Sequence, residues 1–455
     1  MSNANQSRET ARVLAAMVRD RGGRAYYVGG CVRDALLGQD CKDIDIEVHG
    51  LMPRELEEIL DSLGTRISIG ESFGIYSLKG IGLDIAMPRK EQLRGMGHRD
   101  FDILVDPYIG TEGAALRRDF TINALMQDVL TGEILDHFGG QEDLSRGILR
   151  HVSDASFAED PLRVLRGAQF AARFAFEIAE DTVALCRKMD LRHLSRERVE
   201  GELKKALLKA ERPSLFFEAL RNMEQLDDWF PELKALMGIG QNPLYHAEGD
   251  VWNHTMLVLD QAAKLRHRAA NPYWFMLSAL VHDFGKAVVT DSGTDAHHAY
   301  AHEIAGIPLA EAFLRRITSE TKCIDYVKNM TQLHMKPNIA AGANASIKST
   351  NKLFDQSADP EGLICLAIAD DLGRIAYMPS GAQEGFLMER LQIYREYMAR
   401  PYVMGRDLIA AGLEPGPDFT EILAYAHKLR LAGIEKENAL KQVLAFARQS
   451  RRKGK

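Results

Sequence analysis

Alternating acidic and apolar residues form the first segment of the chain with an evident capacity for chemistry. The run from Lys42 to Glu47 reads Lys-Asp-Ile-Asp-Ile-Glu, and its period of two predicts a β-strand with Asp43 and Asp45 on one face. Two such carboxylates can hold Mg²⁺, which neutralises a triphosphate and activates an attacking hydroxyl in phosphoryl transfer. Asp84 is the candidate for a third carboxylate, with a solvated strand residue as the alternative interpretation.

A pair of glycines precedes this strand in the sequence. Gly29 and Gly30 follow a predicted strand and begin a predicted helix, so two residues without side chains let the backbone approach a phosphate group. Arg33, one helical turn further on, adds a positive charge. An ordinary tight turn is the commoner explanation of such a pair when it stands alone.

Histidines and aspartates in the second half of the chain suggest a separate metal site. Two imidazoles and two carboxylates suit a borderline-to-hard divalent ion, and they come from His254, the adjacent His282 and Asp283, and Asp370. Neighbours such as His282 and Asp283 can both reach one ion at the end of a helix. His302 and His334 could extend the group to a second metal or position a phosphate, although a core or surface histidine is the favoured interpretation of each.

The predicted elements divide the chain into a mixed α/β part and a mostly helical part. Short β-rich runs at 25–28, 44–48, 75–78 and 83–87 alternate with helical patterns. From residue 141 onward helical periodicity dominates, as at 197–208, where Val199, Leu203 and Leu207 recur at helical spacing. We therefore predict an α+β fold: a small mixed-sheet head at 1–140, a helical neck at 141–237, a metal-binding domain at 238–380 and a helical tail at 381–455.

The composition predicts a cytoplasmic protein. The 455 residues are long enough for about two to four domains. Five scattered cysteines without a CxxC pair indicate neither a disulfide framework nor a zinc knuckle, and they fit a reducing compartment. The N-terminus lacks an apolar signal segment, and no stretch approaches the roughly 18 uninterrupted apolar residues of a membrane span. We therefore expect no membrane partner.

Positive charge is concentrated in two stretches of a chain whose net charge is -7. Residues 182–212 carry nine Lys and Arg against five Asp and Glu, and residues 421–455 carry nine against three. Such stretches suit contacts with nucleic-acid phosphates. Solvated helix faces and a frayed basic tail explain either stretch equally well.

Four motifs, in order, connect the first 174 residues with a known superfamily. Over residues 27–174 the chain resembles the class II tRNA nucleotidyltransferase and bacterial poly(A) polymerase superfamily. Any one motif can arise by chance, but four in the family's order argue against it. The motifs are Gly29-Gly30-x-Val32-Arg33-Asp34 with Leu36-Leu37-Gly38, then Lys42-Asp43-x-Asp45, Arg117-Arg118-Asp119-Phe120-Thr121-Ile122-Asn123-Ala124, and Glu159-Asp160-Pro161-Leu162-Arg163-Val164-Leu165-Arg166.

The resemblance implies a role for each motif. Gly29, Gly30 and Arg33 are expected to hold a triphosphate, and Asp43 and Asp45 to bind Mg²⁺. The chain departs from the family's pattern at one position, Gln169, where many relatives carry Arg. The other residues expected to contact the sugar, base and phosphates of the incoming nucleotide are Arg118, Asp119, Asn123, Asp160, Arg163 and Arg166.

Further resemblances favour the CCA-adding branch of the superfamily. Poly(A) polymerases tend to carry a basic Arg-Arg-Phe-like run where this chain has Ser72-Phe73-Gly74. The pattern of His254, His282-Asp283 and Asp370 resembles HD phosphohydrolases fused to many bacterial CCA-adding enzymes, which implies a divalent metal (Mg, Mn or Ni). A 2′,3′-cyclic phosphate on a damaged RNA end is the implied substrate. The tail resembles the domain that holds the tRNA elbow in related proteins.

We therefore predict an enzyme that adds the 3′-terminal CCA of tRNA from CTP and ATP without a template, with an HD phosphohydrolase as a second activity. A poly(A) polymerase of the same superfamily and an HD phosphohydrolase with a silent head are the alternatives. The presence of Asp43 and Asp45 argues against a silent head, because their loss is the simplest route to inactivity. The sequence is compatible with addition of CCA, of CC alone or of A alone. It gives no indication of the oligomeric state.

Overall fold

The computed structural model describes residues 3–39, 41, 44–68, 74–93, 101–242, 246–290, 299–375 and 383–453. Asp43, Ser72 and Phe73, named above, lie outside these residues. The chain forms two compact units, the first made of Met1–Glu202 with Leu215–Gln225 and the second of Leu203–Ser214 with Leu226–Lys455. The catalytic motifs of the predicted head lie in the first unit, and the histidines of the predicted metal-binding domain lie in the second.

A mixed sheet forms the centre of the first unit. In the described part of the chain it has seven strands: β1 (Arg24–Val28), β2 (Ile44–His49), β3 (Arg66–Ser68), β4 (Ile75–Leu78), β5 (Leu83–Ala86), β8 (Met126–Asp128) and β9 (Ile134–Leu135). Their order is β3-β4-β5-β2-β1-β8-β9, and β2 pairs in parallel with β5 but antiparallel with β1. Smaller ribbons join β6 (Arg89–Leu93) to β7 (Phe101–Val105) and β10 (Ile148–Leu149) to β11 (Glu177–Ile178).

Apolar residues on one face of the central strands hold the sheet in place. Ile44 and Ile46 of β2 are buried in one core with Leu83 and Ile85 of β5. Because side chains alternate along a strand, the acidic residues of β2 lie on the opposite face. The strands predicted at 25–28, 44–48, 75–78 and 83–87 are confirmed.

Helices surround the sheet of the first unit and continue into the second. Within the first unit they are α1 (Asn3–Asp20), α2 (Gly30–Leu36), α3 (Pro53–Leu63), α4 (Gly110–Leu116), α5 (Gly140–Arg146), α6 (Asp154–Ala158), α7 (Leu162–Phe174) and α8 (Glu180–Cys186). Helices α9 (Arg196–Lys209) and α10 (Ser214–Asn222) cross the limits between the units. The helix predicted at 197–208 is confirmed as α9.

Helices joined by loops make up the described residues of the second unit. Its helices are α11 (Pro231–Lys234), α12 (Val251–Leu265), α13 (Pro272–Val281), α14 (Lys286–Val289), α15 (His302–Ile317), α16 (Thr321–Leu333), α17 (Met335–Gly342), α18 (Ile347–Gln356), α19 (Pro360–Leu372), α20 (Gln383–Ala399), α21 (Gly405–Ala410), α22 (Phe419–Leu431) and α23 (Lys436–Lys453). A mixed-sheet unit followed by a helical unit confirms the predicted α+β class. None of the described helices is both long enough and apolar enough to cross a membrane.

Side-chain caps begin several described helices of the second unit, including α12, α13 and α19. Asp250 accepts a hydrogen bond from a backbone amide of α12, and Asn271 and Asp359 do the same for α13 and α19. An N-cap of this kind stabilises a helix by about 1 kcal/mol because it satisfies an amide that has no partner within the helix. These caps define where three helices begin: α12, which carries His254, α13, which ends directly before His282, and α19, which carries Asp370.

The cysteines are all buried and none forms a disulfide. Burial raises the pKa of Cys31 and of Cys186 to about 12, and that of Cys365 to about 11. This arrangement agrees with the absence of a disulfide framework expected from their spacing.

Replacing Gly140 by alanine should destabilise the first unit by about 1–3 kcal/mol, because a rigid backbone group occupies the space that a side chain would need. A Cβ at Gly140, the first residue of α5, would lie 2.3 Å from the carbonyl oxygen of Thr121. Gly201→Ala in α9 is the matched control: nothing lies within 4 Å of its Cβ position, and we expect about 0.5–1 kcal/mol of stabilisation. Urea unfolding of both variants measures the difference, and equal midpoints would contradict the prediction.

Candidate functional site

Two carboxylates of the predicted metal site lie on neighbouring strands. Asp45 of β2 and Asp84 of β5 are direct partners in the parallel register. Partners of this kind point to the same face, on strands about 4.8 Å apart. Asp45 is half-buried and Asp84 is exposed, so both carboxylates can meet an ion from solvent. The structure therefore brings these two predicted residues together, while Asp43 lies outside the described residues.

The glycine turn lies directly against Arg118. Gly29 has a φ of 64°, a left-handed conformation that favours glycine, and it precedes the first residue of α2, Gly30. A Cβ at Gly29 would lie 3.0 Å from Arg118 Nη1. The missing side chain therefore lets the guanidinium of one predicted motif approach the turn of another.

Hydrogen bonds join four of the predicted nucleotide-binding residues into one chain. Arg166 Nε donates to Asp119 Oδ2 (2.7 Å), and Asn123 Nδ2 donates to Asp119 Oδ1 (2.9 Å). Arg33 Nη1 in turn donates to Asn123 Oδ1 (2.6 Å). Burial opposes the ionisation of Asp119, but Arg166 and the hydrogen bonds outweigh it and hold the pKa of Asp119 below its ordinary value. Asp119 is thus a fixed negative charge that orients Arg166 and Asn123.

Arg33 is enclosed within the head. It is only 3% exposed, and its Nε and Nη2 donate to Asp34 Oδ1 (2.8 and 2.6 Å). Its guanidinium also lies 4.7 Å from the ring centre of Phe174. Burial lowers the pKa of Arg33, although a guanidinium stays protonated in proteins. This geometry makes Arg33 a support of the network, and its direct contact with a triphosphate stays a prediction.

Asp160 and Arg163 lie at the start of α7 with different partners. Asp160 Oδ1 accepts a hydrogen bond from Leu162 N (3.1 Å), and its Oδ2 accepts one from Arg198 Nη2 of α9 (2.7 Å). Arg163 Nη1 donates to the carbonyl of Ser156 (2.5 Å), and its Nη2 donates to that of Arg117 (2.7 Å). Both side chains are therefore held in place, and a joint base-reading edge stays a prediction.

Sequence reasoning missed three residues of this region. Glu47 of β2 is buried and accepts hydrogen bonds from Arg117 and Arg118. The spacing of two residues between Glu47 and Asp45 could have placed both on one face of the strand. Arg198 stands in no motif, so nothing in the sequence pointed to a role for it. Gln169, noted only as a departure from the family's pattern, is 2% exposed and its amide nitrogen is buried without a hydrogen-bond partner among the described residues.

Six buried side chains of the second unit form one cluster of imidazoles and carboxylates. One group, with its ligand atoms within 4.8 Å of one another, is His254, His282 and Asp370, and a second is Asp283, His302 and His334. Asp283 joins the two groups, because its Oδ2 lies 3.3 Å from His282 Nε2 and its Oδ1 lies 3.2 Å from His302 Nε2. The structure thus brings together all four predicted ligands and places the two further histidines beside them.

The imidazoles of this cluster all present the same nitrogen to its centre. In each ring Nδ1 lies against an acceptor: the carbonyls of Ala279, Ala299 and Thr331 for His282, His302 and His334 (2.8, 2.8 and 2.7 Å), and Glu248 Oε1 for His254 (3.1 Å). An Nδ1–H donor leaves the Nε2 lone pair of the neutral ring free, which is the form that binds metals. His282 Nε2 is buried and makes no hydrogen bond to a described residue.

The pKa shifts in the cluster differ between its members. Burial opposes protonation of His282 and His302, but the adjacent Asp283 outweighs it and raises the pKa of both imidazoles. Burial opposes ionisation of Asp283 and Asp370, but Lys286 and His282 at the first, and Arg374 and His254 at the second, hold both carboxyl pKa values well below the ordinary range. Burial, together with nearby His282, lowers the pKa of His334 to about 3, so His334 is neutral at physiological pH. Two ionised carboxylates and a neutral imidazole are donors suited to a divalent ion.

A close backbone approach fixes the position of His302. A Cβ at Gly285, three residues after His282, would lie 2.0 Å from the carbonyl oxygen of His302 and 2.6 Å from the amide nitrogen of Gly306. Only glycine admits this approach between α14 and α15. His302, the first residue of α15, is thereby held beside Asp283.

Three family models match separate parts of the chain. The model described as "Poly A polymerase head domain" matches residues 25–150, and "Probable RNA and SrmB- binding site of polymerase A" matches residues 175–237. The model described as "HD domain" matches residues 251–375, which include all six residues of the histidine–aspartate cluster. The matches include the part of the first candidate site from the glycine turn to Asn123 and the whole of the second, whereas Asp160, Arg163 and Arg166 lie between the first two matches.

Solved structures share the fold of the whole chain. "The structure of CCA-adding enzyme apo form II" aligns with a TM-score of 0.68 at 22% identity, over 96% of this chain and 95% of that one. "Thermotoga maritima CCA-adding enzyme complexed with tRNA_CCA" aligns with a TM-score of 0.64 at 22% identity, over 96% and 94%.

Curated relatives are closer in sequence. The "Multifunctional CCA protein" of Alkalilimnicola ehrlichii (strain ATCC BAA-1101 / DSM 17681 / MLHE-1) is 35% identical over 84% of this chain and 92% of its own length. The protein of the same name from Xanthomonas campestris pv. campestris (strain B100) is 35% identical over 92% of this chain and its entire length. Identity at this level over nearly complete chains, together with the three matching models, shows that this chain belongs to the multifunctional CCA protein family.

Proposed function

We propose that the protein adds or repairs the 3′-terminal CCA of tRNA, using CTP and ATP without a nucleic-acid template. The observation that carries the proposal is the series of hydrogen bonds that runs from Arg166 through Asp119 and Asn123 to Arg33. The neighbouring carboxylates of Asp45 and Asp84 lie in the same unit. Ionised carboxylates for a metal and fixed guanidiniums for a triphosphate are what nucleotidyl transfer requires. The relatives named for CCA addition support the choice of tRNA as the acceptor.

In the head, Asp45 and Asp84 would hold Mg²⁺ together with Asp43. Their accessible carboxylates on adjacent strands fit such an ion. Mg²⁺, when bound, neutralises the triphosphate and activates the 3′-hydroxyl of the tRNA. Arg118, beside the Gly29 turn, would meet the phosphates, while Asp119 keeps Arg166 oriented toward the nucleotide.

Selection of C and A would fall to Asp160 and Arg163. Cytosine and adenine each offer an amino donor beside a ring-nitrogen acceptor, which a carboxylate and a guanidinium match. Uracil and guanine would turn a carbonyl oxygen toward Asp160 and be repelled. Arg198 holds the Asp160 carboxylate at 2.7 Å, so the recognition edge would have a fixed orientation before a nucleotide arrives.

For the second unit we propose a metal-dependent phosphohydrolase acting on phosphate esters such as a 2′,3′-cyclic phosphate at an RNA end. The inward Nε2 atoms of His254, His282, His302 and His334 and the ionised Asp283 and Asp370 fit one divalent ion or two, of Mg, Mn or Ni. Such an ion, when bound, activates water for attack on phosphorus. Lys286, with Nζ 2.7 Å from Asp283 Oδ2, would counter the charge of the phosphate ester.

The proposal also places the protein in the cytoplasm, where tRNA is used. Its buried cysteines form no disulfide, which is compatible with a reducing compartment. Incubation of the purified protein with tRNA lacking its end, and with each nucleoside triphosphate in turn, tests the function directly. Incorporation of two C residues and then one A supports it, whereas long tails from ATP alone would identify a poly(A) polymerase.

Asp45→Ala should reduce addition of both CTP and ATP by at least about a hundredfold, because a ligand of Mg²⁺ is lost while the apolar face of β2 is untouched. Asp20→Ala, at an exposed residue of α1, is the control and should act as the wild type. Rates of nucleotide incorporation, with urea unfolding as a check on folding, measure the effect. Near-normal incorporation by well-folded Asp45→Ala would contradict the metal role.

Asp160→Ala and Arg163→Ala should each reduce CTP and ATP addition together and relax the exclusion of UTP and GTP by about tenfold to a hundredfold. Arg198→Ala should share the loss of selectivity, since it frees the Asp160 carboxylate. Arg192→Ala, whose guanidinium pairs with exposed Asp190, serves as the control. Steady-state incorporation of all four nucleotides provides the measurement. Unchanged selectivity in all three variants would leave Asp160 with a helix-capping role.

Combined His282→Ala and Asp283→Ala substitutions should abolish phosphohydrolase activity and weaken binding of Ni²⁺ or Mn²⁺, while CCA addition continues at close to the wild-type rate. The two candidate sites share no residue. Calorimetric titration with each metal, alongside hydrolysis of a 2′,3′-cyclic nucleotide, checks both effects. His427→Ala, at a histidine that pairs with Asp355 outside the cluster, is the matched control. Equal loss of both activities in a well-folded double variant would contradict the independence of the sites.

A further inference from the structure

Glu47 is a deeply buried carboxylate to which no motif gave a role. It is 1% exposed, lies two residues before the end of β2, and is placed by strand alternation on the same face as Asp45. A carboxylate removed from water is costly unless it is paired and hydrogen-bonded. Its partners therefore indicate what the burial accomplishes.

The partners of Glu47 are two adjacent arginines and a histidine. Its Oε2 accepts hydrogen bonds from Arg117 Nη2 (3.3 Å) and Arg118 Nη2 (3.4 Å), and its Oε1 lies 3.0 Å from His49 Nε2. A buried carboxylate that accepts from two guanidiniums is paired as their counter-ion, so Glu47 is shared between two cations.

Arg118 extends from this carboxylate to the glycine turn. Its Nη2 is held by Glu47, and its Nη1 lies 3.0 Å from where a Cβ of Gly29 would be. Arg118 Nε is buried and makes no hydrogen bond to a described residue. An arginine side chain loses rotamer entropy when it is fixed in one orientation. Because Glu47 holds Arg118, this entropy is lost before any nucleotide binds.

Arg117 connects the same carboxylate with the start of α7. Its side chain reaches Glu47, and its backbone carbonyl accepts a hydrogen bond from Arg163 Nη2 (2.7 Å). The segment that carries Arg117 and Arg118 is thus attached to β2 on one side and to α7 on the other. A loss of the Glu47 charge would release the β2 side of this link.

We infer that Glu47 is a positioning residue for nucleotidyl transfer, which fixes the Arg118 guanidinium beside the Gly29–Gly30 turn so that it is ready for the phosphates of an incoming nucleotide. The inference rests on the proposed CCA addition. Because the phosphates of CTP and ATP are alike, Glu47 acts equally on both nucleotides. It acts on nucleotide binding rather than on tRNA binding or on the choice of base.

Glu47→Gln keeps the size of the side chain and removes its charge. We expect KM for CTP and for ATP to rise together by about tenfold, with a smaller change in kcat and an unchanged KM for tRNA. In an Arg118→Ala background the same substitution should add nothing, because the guanidinium that it positions is absent. Glu232→Gln is the matched control, since Glu232 holds Arg316 through two hydrogen bonds (2.9 and 2.6 Å) in the second unit.

Calorimetric binding of a non-hydrolysable CTP analogue without tRNA separates this inference from the proposed function. Weaker binding of the analogue by Glu47→Gln than by the wild type supports the inference. If the wild type adds no nucleotide to tRNA, that result overturns the proposed CCA addition but leaves the inference standing. The inference is overturned if Glu47→Gln binds the analogue as tightly as the wild type does. It is also overturned if the effects of Glu47→Gln and Arg118→Ala on nucleotide binding are additive in the double variant. Glu47→Asp, which retains the charge, should bind with intermediate affinity and decides the matter if Glu47→Gln folds poorly. A fall in melting temperature with unchanged nucleotide affinity in both variants would assign Glu47 a purely structural role.

Discussion

Neutralisation of buried carboxylates by arginines is the interaction on which the geometry of the head depends. Asp119 is paired with Arg166, Asp34 with Arg33, and Glu47 with Arg117 and Arg118. A charge taken out of water demands a partner at a defined distance and direction, whereas an apolar contact tolerates rearrangement. The Glu47 and Asp119 pairs join elements that are far apart in the sequence: β2 to the segment after α4, and that segment to α7. The polar side of the sheet is thus organised by charge, and its opposite side by the isoleucines of the core.

The cluster of the second unit follows the opposite principle. Its ionised carboxylates, Asp283 and Asp370, are surrounded mainly by imidazoles whose outer nitrogens are already engaged. Lys286 and Arg374 supply some positive charge from the edge, at 2.7 and 2.8 Å from these carboxylates. A head that carries its own counter-ions is structured before its substrate arrives. The second cluster gathers donors of the kind that bind a cation, which supports the metal-dependent activity proposed for it.

Short-range patterns in the sequence predicted much of this structure, and long-range partnerships could not be predicted from them. The alternation around Asp45 gave β2, and the register of β2 with β5 then placed Asp84 beside it as expected. The adjacent His282 and Asp283 were correctly assigned to the end of a helix. Glu47 and Arg198 were missed because the partners that give them meaning stand elsewhere in the chain. His302 and His334 were favoured as ordinary histidines, since spacing alone does not reveal that two helices bring them to Asp283.

Burial of every cysteine makes the protein a convenient subject for site-specific labelling. Thiolate is the form that reacts with maleimides, and burial both shields a thiol and raises its pKa, as at Cys31, Cys186 and Cys365. A single new cysteine at an exposed helical position, such as Glu58 of α3 or Glu437 of α23, would therefore react well before the native thiols. Pairs of such sites would permit fluorescence or spin-label distances between the two units to be followed in solution, with all five native cysteines left in place.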